Sequence, residues 1–330
     1  MRMVVGEIDK LCHVNAIENI RLPVRLGQDV FSKGHLEENT IRQTEEAFLR
    51  FKHVAKRFEV HHLRAVATSA AREARNNDLL LERVFRISGI EIEIINGEEE
   101  ARLIHAAVAH ALDLKNKRTL LIDIGGGSVE VTLSTGRSII STDSYDMGTV
   151  RLLKKLNSES KHFSGKLVRA YVEAARDRIE RDLGDQKIQI CAGTGGNVEE
   201  IGRLRQRLFK AESNRCVTLE ELERLIERLD RMTYEERMHK LKLRPDRADV
   251  ILPASIVLHL IASEAGVKRI AIPNVGLKDG ILLDIAEELS ENLHSRRSEY
   301  FWQAQSDSRQ LGIRYTSGTG LTSEAVLRMN

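Results

Sequence analysis

The stretch LLIDIGGGSVEV, residues 120–131, constrains the fold more than any other part of this 330-residue chain. An aliphatic run ends in Asp123, three glycines and Ser128 follow, and an apolar alternation resumes around Glu130. Two such runs flanking a glycine turn read as a strand hairpin. No helix starts behind the glycines. That excludes the dinucleotide-binding fingerprint and the nucleotide-triphosphatase phosphate loop, both of which place their glycines at a helix start. Two readings remain. One is a plain glycine-rich turn; in the other, bare N–H groups approach an anion while Asp123 orients a hydrated Mg2+.

The rest of the chain alternates strand-like and helix-like text, which predicts an α/β architecture. Strands are expected at 3–8, 17–24, 63–68, 90–95, 137–142 and 187–193, beside the quoted pair. A helix is expected over 37–59, where Ile41, Phe48, Phe51, Val54, Ala55 and Phe58 recur at helical spacing. Further helices are expected at 69–75, 78–87, 98–112, 148–156, 164–183, 197–208, 218–231 and 246–265. The polar, aperiodic DLKNKR (113–118) predicts a boundary between domains 1–112 and 113–292. Residues 293–330 then form a less periodic tail, a partly disordered stub of a helical extension.

Hydrophobic residues make up 42% and charged residues 30%, which predicts a sizeable core under a charged surface and argues against disorder. A net charge of +2 argues against a protein that coats nucleic acid, and leaves room for a local basic groove. Cys12, Cys191 and Cys216 are odd in number and far apart, so they read as reduced thiols of a cytoplasmic protein. Glu7 and Asp9 interrupt any signal-peptide apolar region, and the longest apolar run, 250–262, is broken by Pro253 and His259. No membrane segment is expected.

Three further segments carry groups suited to phosphate chemistry. NGEEEAR (96–102) puts three carboxylates in a first helical turn, where the helix dipole alone would favour them. Glu100 shares a face with Leu103 and Ile104, so it is the one expected at the edge of buried structure, open to pKa tuning for a general base. CAGTGGN (191–197) ends a strand and starts a helix, either as an anion site at Gly193, Thr194, Gly195 and Gly196 or as a tight turn capped by Asn197. ATSAARE (67–73) offers hydroxyls and Arg72, a bidentate phosphate ligand or an ordinary surface arginine. Basic runs at 203–210 and 237–247 read as solvated faces unless they line a cleft. The eleven histidines show no metal-ligand spacing.

Taken together, this text resembles the exopolyphosphatase/guanosine pentaphosphate phosphatase (Ppx/GppA) family. The resemblance is carried, in order, by PVRLGQDVFSKGHL (23–36), RAVATSAAREARN (64–76), INGEEEARLI (95–104), LLIDIGGGSVEV, DMGTVRLL (146–153), CAGTGGN and LRPDRADVILPA (243–254). It implies two ribonuclease-H-like domains of the actin and sugar-kinase superfamily around a central cleft. Glu100 matches the family's water-activating glutamate and Arg72 its phosphate-side arginine. Asp123, Gly125, Gly126, Gly127, Ser128 and Glu130 match a second phosphate-binding loop, with Asp123 and Glu130 at a metal. Gly193 to Gly196 match the glycine loop that corresponds to the kinases' nucleotide turn.

The implied reaction is Mg2+-assisted hydrolysis of terminal phosphoanhydride bonds in inorganic polyphosphate or guanosine pentaphosphate, a stringent-response chemistry. A homodimer is a family habit; no nucleic-acid partner is expected. The family's first phosphate loop normally precedes text like MRMVVGEID, so domain I is expected to lack its first strand and that loop. A polyphosphate- or alarmone-binding protein without turnover is therefore the alternative, and a kinase-like phosphotransferase the more distant one. Aromatic residues, at 4%, offer no evident base-stacking platform.

Overall fold

The computed structural model describes residues 1–9, 13–153, 177 and 187–290. Two compact units divide the chain, Met1–Ile285 and Ala286–Asn330; of the second, only helical residues up to 290 are described. Cys12, most of the predicted 164–183 helix and most of the predicted tail lie outside the described residues.

The first unit opens with the antiparallel hairpin β1 (Arg2–Ile8) and β2 (Val14–Arg21), in which Arg2 faces Arg21. Helix α1 (Leu26–Lys33) follows and stops at Gly34, whose φ of +73° is a left-handed conformation glycine adopts without steric cost. Helix α2 (Glu38–Arg57) buries Ile41, Thr44, Ala47 and Phe51; of the expected apolar set, Ile41 and Phe51 are buried, while Phe48, Val54, Ala55 and Phe58 are half-buried. Strand β3 (Ala65–Ala67) leads into α3 (Ser69–Glu73), α4 (Asn77–Ser88) and β4 (Ile92–Ile94); β3 and β4 pair in parallel. Helix α5 (Gly97–Ala111) closes this half, its first turn capped by the Asn96 side chain accepting from Glu99 N–H at 2.8 Å.

The second half is built on a six-stranded sheet. It contains β5 (Arg118–Ile124), β6 (Val129–Thr135), β7 (Ser138–Tyr145), β8 (Ile190–Thr194), β9 (Cys216–Thr218) and β10 (Arg269–Ala271), in the spatial order β7-β6-β5-β8-β10-β9. Strands β5, β6 and β7 are antiparallel neighbours, and β8 lies parallel to β5. Centrally placed β5 is buried along almost its whole length, which accounts for its unbroken aliphatic text. Helices α6 (Gly196–Phe209), α7 (Leu219–Asp230) and α10 (Ile251–Glu264) cover the sheet and share its principal core.

In the first half, by contrast, the hairpin β1–β2 and the parallel pair β3–β4 are two separate two-stranded sheets. One local expectation needs correction. The predicted 246–265 helix is two helices, α9 (Pro245–Ala248) and α10, separated at Asp249 and Val250. Pro253 sits in the first turn of α10, where its missing N–H is not needed. Helix α1, β9 and α8 (Tyr234–Lys240) are too short to leave a clear period in the sequence. Residues 277–290 are helical, and Gly280 lets this segment meet the Leu103 backbone, where a Cβ would stand 2.0 Å from the Leu103 carbonyl oxygen.

Candidate active site

Strand register assembles the core of the site. Asp123 and Glu130 are directly opposed across the β5–β6 hairpin, and Thr194 of β8 lies beside Asp123 in the parallel register. Opposed residues share a face, so the hairpin that sequence reading singled out holds two carboxylates at cross-strand contact. The Thr194 hydroxyl donates to Asp123 Oδ1 at 2.5 Å, and the Ser144 hydroxyl donates to Glu130 Oε1 at 3.0 Å.

The third carboxylate arrives from the other half. A Cβ on Gly97 would stand 3.2 Å from the Ser144 side chain, so glycine lets the start of α5 settle against β7. Glu100 then projects from the first turn of α5 towards the hairpin. Ligand oxygens of Glu100, Asp123 and Glu130 all lie within 4.8 Å of one another, and all three side chains are buried. The two other acids of the first turn are occupied elsewhere or solvated: Glu99 bonds Arg102 and Arg64, and Glu98 is exposed.

Three buried carboxyls this close cannot all carry charge without compensation. Burial, then repulsion from Glu130 and Asp123, pushes Glu100 up to about 9. Burial, reinforced by Asp123, pushes Glu130 up to about 7, and burial raises Asp123 as well. Arg72 opposes this: its charge favours the ionised forms of Glu100 and Glu130, while its Nη1 donates to the Ile95 carbonyl at 2.7 Å. Glu100 Oε2 and Glu130 Oε2 are buried without a hydrogen-bond partner. Orphaned carboxylate oxygens converging on one point are the donor set of a hard divalent cation, so the residues fit Mg2+.

The glycine loop is held from behind. Gly125, Gly126 and Gly127 carbonyls accept from the N–H groups of Thr149, Val150 and Gly148 at 3.1, 2.9 and 3.1 Å, and Gly125 N–H donates to the Ser128 carbonyl. These bonds leave the N–H groups of Gly126, Gly127 and Ser128 for other partners. Gly148 packs so tightly that a Cβ would stand 2.2 Å from the Gly127 carbonyl carbon. Arg151 donates from Nε to the Gly127 carbonyl at 2.9 Å and makes two bonds to Glu73 of α3, at 2.6 and 2.8 Å. Its guanidinium lies over the Phe31 ring, 4.4 Å from the centroid, and a Gly127 Cβ would meet both Phe31 and Ser69. The loop is thus clamped between the two halves.

The second glycine segment divides by role. Gly195 has φ +94°, and a Cβ there would stand 2.6 Å from the Ile124 carbonyl oxygen, so it is glycine because backbone meets backbone beside Asp123. Gly193 faces Val198, Ile270 and Leu258, a packing requirement. Gly196 lies under the guanidiniums of Arg247 and Arg2. Of the two readings of this segment, the one with Asn197 as cap does not hold: Gly195 is the N-cap residue, and buried Asn197 bonds Thr149 Oγ1 at 3.3 Å and accepts from Arg247 at 2.6 Å.

The basic runs are also less solvated than their text predicts. Arg237 donates to the carbonyls of Leu229 and Ala248, and Arg205 pairs with Glu221 at 2.8 Å. Sequence reading missed Arg2, Gly97, Ser144, Gly148, Arg151 and Arg247 as site residues. Each acts through a partner far along the chain, although the segments that carry the resemblance contain Gly97, Gly148, Arg151 and Arg247.

The fold is a mixed α/β one, shared with solved structures of Ppx/GppA-type proteins. The sequence model of the Ppx/GppA phosphatase family matches residues 4–289, and the chain belongs to that family. It is 26% identical over 322 residues to a guanosine-5'-triphosphate,3'-diphosphate pyrophosphatase of Photobacterium profundum, a match covering 95% of this chain and 62% of that protein. Among solved structures, an exopolyphosphatase from Cytophaga hutchinsonii superposes with a TM-score of 0.79 at 22% identity, covering 86% of this chain and 94% of that one. The Aquifex aeolicus Ppx/GppA family member superposes with a TM-score of 0.72 at 24% identity, covering 88% and 94%. Among the described residues, no helix is long and apolar enough to cross a membrane.

Proposed function

We propose that the chain hydrolyses the terminal phosphoanhydride bond of a polyphosphorylated substrate, inorganic polyphosphate or guanosine pentaphosphate. The observation that carries this reading is the convergence of Glu100, Asp123 and Glu130, two of them with orphaned oxygens, beside a glycine loop whose carbonyls are turned away. The loop N–H groups of Gly126, Gly127 and Ser128 receive the terminal phosphoryl oxygens, and Arg72 adds charge on the same side. Asp123 and Glu130 would hold Mg2+, which when bound supplies charge neutralisation on those oxygens.

Glu100 accepts a proton from the attacking water. A carboxyl near pKa 9 is a poor base at neutral pH, but its proton is held there by burial and by two uncompensated neighbours. Positive charge in the cluster lowers that pKa towards the range where the group both ionises and accepts a proton. Thr194 and Ser144 orient Asp123 and Glu130 through the bonds described above. On this reading the domain boundary falls in residues 113–118, between α5 and β5. The cleft then lies between the halves that contribute Glu100 and the hairpin.

The test is inorganic phosphate release from long-chain polyphosphate with Mg2+, wild type against Glu100→Gln. Release by the wild type that drops by about a hundredfold or more in the variant supports Glu100 as base. Equal release by both proteins rejects it. Substrate binding with no release from either protein supports a binding role instead.

A further inference from the structure

Glu100 accepts a hydrogen bond from the Thr68 hydroxyl, while its Oε2 has no partner. Its carboxylate is therefore placed by its backbone, the first turn of α5, more than by side-chain bonds. That turn is tied down by charged groups outside the acid cluster. Glu99 and Arg102 flank Glu100 and form a two-point pair, from Arg102 Nε to Glu99 Oε2 at 2.7 Å and from Nη2 to Oε1 at 2.8 Å. Asp284, in the helical residues 277–285, gives each of two guanidiniums its own oxygen. Oδ1 accepts from Arg102 Nη2 at 2.8 Å, and Oδ2 accepts from Arg64 Nη1 at 2.5 Å. Arg64 also donates to Glu99 Oε1 at 3.3 Å and to Glu93 of β4 at 3.0 Å.

The network joins three pieces of chain. Arg64 immediately precedes β3, and Thr68, whose hydroxyl bonds Glu100, immediately follows it. Glu99 and Arg102 belong to α5. Asp284 belongs to a segment with supports of its own: Gly280 meets the Leu103 carbonyl, and Leu282 packs on Gly6 of β1, where a Cβ would stand 2.6 Å from its Cδ2. A single exposed ion pair contributes little, but two-point arginine–carboxylate pairs joined in a network hold a geometry. The Asp284 side chain is 14% exposed, against 23% for Arg64, 27% for Glu99 and 46% for Arg102, so the most protected member is the one that ties 277–285 to both arginines. Placement matters here, because a catalytic group displaced by about 1 Å loses about a hundredfold in rate.

We propose that Asp284 is a positioning residue for the hydrolytic reaction: by bridging Arg64 and Arg102 it fixes the first turn of α5, and with it Glu100, against the β5–β6 hairpin. The inference rests on the phosphohydrolase reading and extends that site to a carboxylate that touches neither substrate nor metal.

Steady-state phosphate release from long-chain polyphosphate with Mg2+, measured on the full chain, tests it. Asp284→Asn keeps the volume but turns one accepting oxygen into an amide, so one guanidinium loses its bond. It lowers kcat about tenfold and leaves KM unchanged. Arg102→Gln, at a half-exposed position where folding is not at stake, gives the same split. The control is Glu45→Gln, which strips the charge from a comparable two-point pair with Arg83, at 2.9 and 2.7 Å, far from the acid cluster; it lowers Tm and leaves kcat unchanged. In a Glu100→Gln background, Asp284→Asn lowers the residual release less than twofold, because the group it positions is gone. Unchanged kcat in Asp284→Asn or Arg102→Gln, an equal kcat loss in Glu45→Gln, or the full tenfold loss persisting without Glu100 overturns the proposal. Release that depends on Glu100 but not on Asp284 leaves hydrolysis standing and removes the positioning role. Release absent from the wild type, or unaffected by Glu100→Gln, rejects the hydrolytic reading and this role with it.

Discussion

Replacing Glu100 by glutamine should make the metal-free protein more stable at pH 8 while removing its activity. In the folded chain burial, then Glu130 and Asp123, raise the Glu100 carboxyl from 4.5 to about 9. Between those values the native state holds a proton that the unfolded chain has released. The unfolded chain therefore binds fewer protons, and stability falls as pH rises from about 4.5 through 9. At pH 8 the gap corresponds to about 3.5 units, and at 1.36 kcal/mol each that sets a ceiling of about 5 kcal/mol. The three carboxyls titrate as a coupled group, so Glu100 alone carries only part of this cost. A gain of about 2–3 kcal/mol is therefore expected, or about 5 °C in Tm for a chain of this size.

Glutamine keeps the volume and can accept from the Thr68 hydroxyl that bonds Glu100. At pH 5 the wild-type group is protonated in the native state and the difference should shrink to under about 1 kcal/mol. Thermal unfolding in chelator at pH 5 and pH 8, wild type beside variant, reads both numbers. A variant less stable than wild type at pH 8, or a shift equal at the two pH values, refutes the account of a strained acid cluster. Phosphate release measured on the same samples should fall by about a hundred- to ten-thousand-fold.

Other perturbations probe the surroundings. Mg2+ at about 100 times its Kd should raise stability by about 2.7 kcal/mol and release protons, more at pH 6 than at pH 9; unfolding with a pH-indicator titration checks this, and no proton release would count against binding at the cluster. Gly148→Ala pushes a methyl into the Gly127 backbone, so phosphate release should collapse although the chain still folds by circular dichroism. Arg151→Lys keeps the charge but loses the paired bonds to Glu73 and the fixed bond to Gly127; KM should rise several-fold with kcat less affected, and an unchanged KM would release Arg151 from its positioning role. Gly195→Ala places a methyl 2.6 Å from the Ile124 carbonyl at φ +94°, and should lower stability by more than about 2 kcal/mol in chemical denaturation.

Local order was largely legible from the chain. The Ile41–Phe51 stripe, the Ser88-Gly89 stop and the aliphatic run before Asp123 each carry their period or breaker in a short window, and each element appears where that window places it. The Asp123–Glu130 opposition also follows locally, because a hairpin of this length fixes which residues face each other. Glu100 was singled out by its helical face, which is again a local property.

What local text could not decide was convergence. Glu100 reaches the hairpin because Gly97 admits the α5 start to Ser144, a contact 47 residues away by numbering. Arg151 clamps the loop through Glu73, and Arg2 borders the site through Gly196; nothing within a window of either arginine names its partner. Asn197 has the form of a helix cap, but the side chains of Thr149 and Arg247 claim it, and tertiary partners outweigh a single local hydrogen bond. Backbone propensities and turn residues act within a few positions and are written into the sequence directly. The burial that raises three carboxyl pKa values exists only once the two halves close around them, so the chemistry of the site belongs to the tertiary structure.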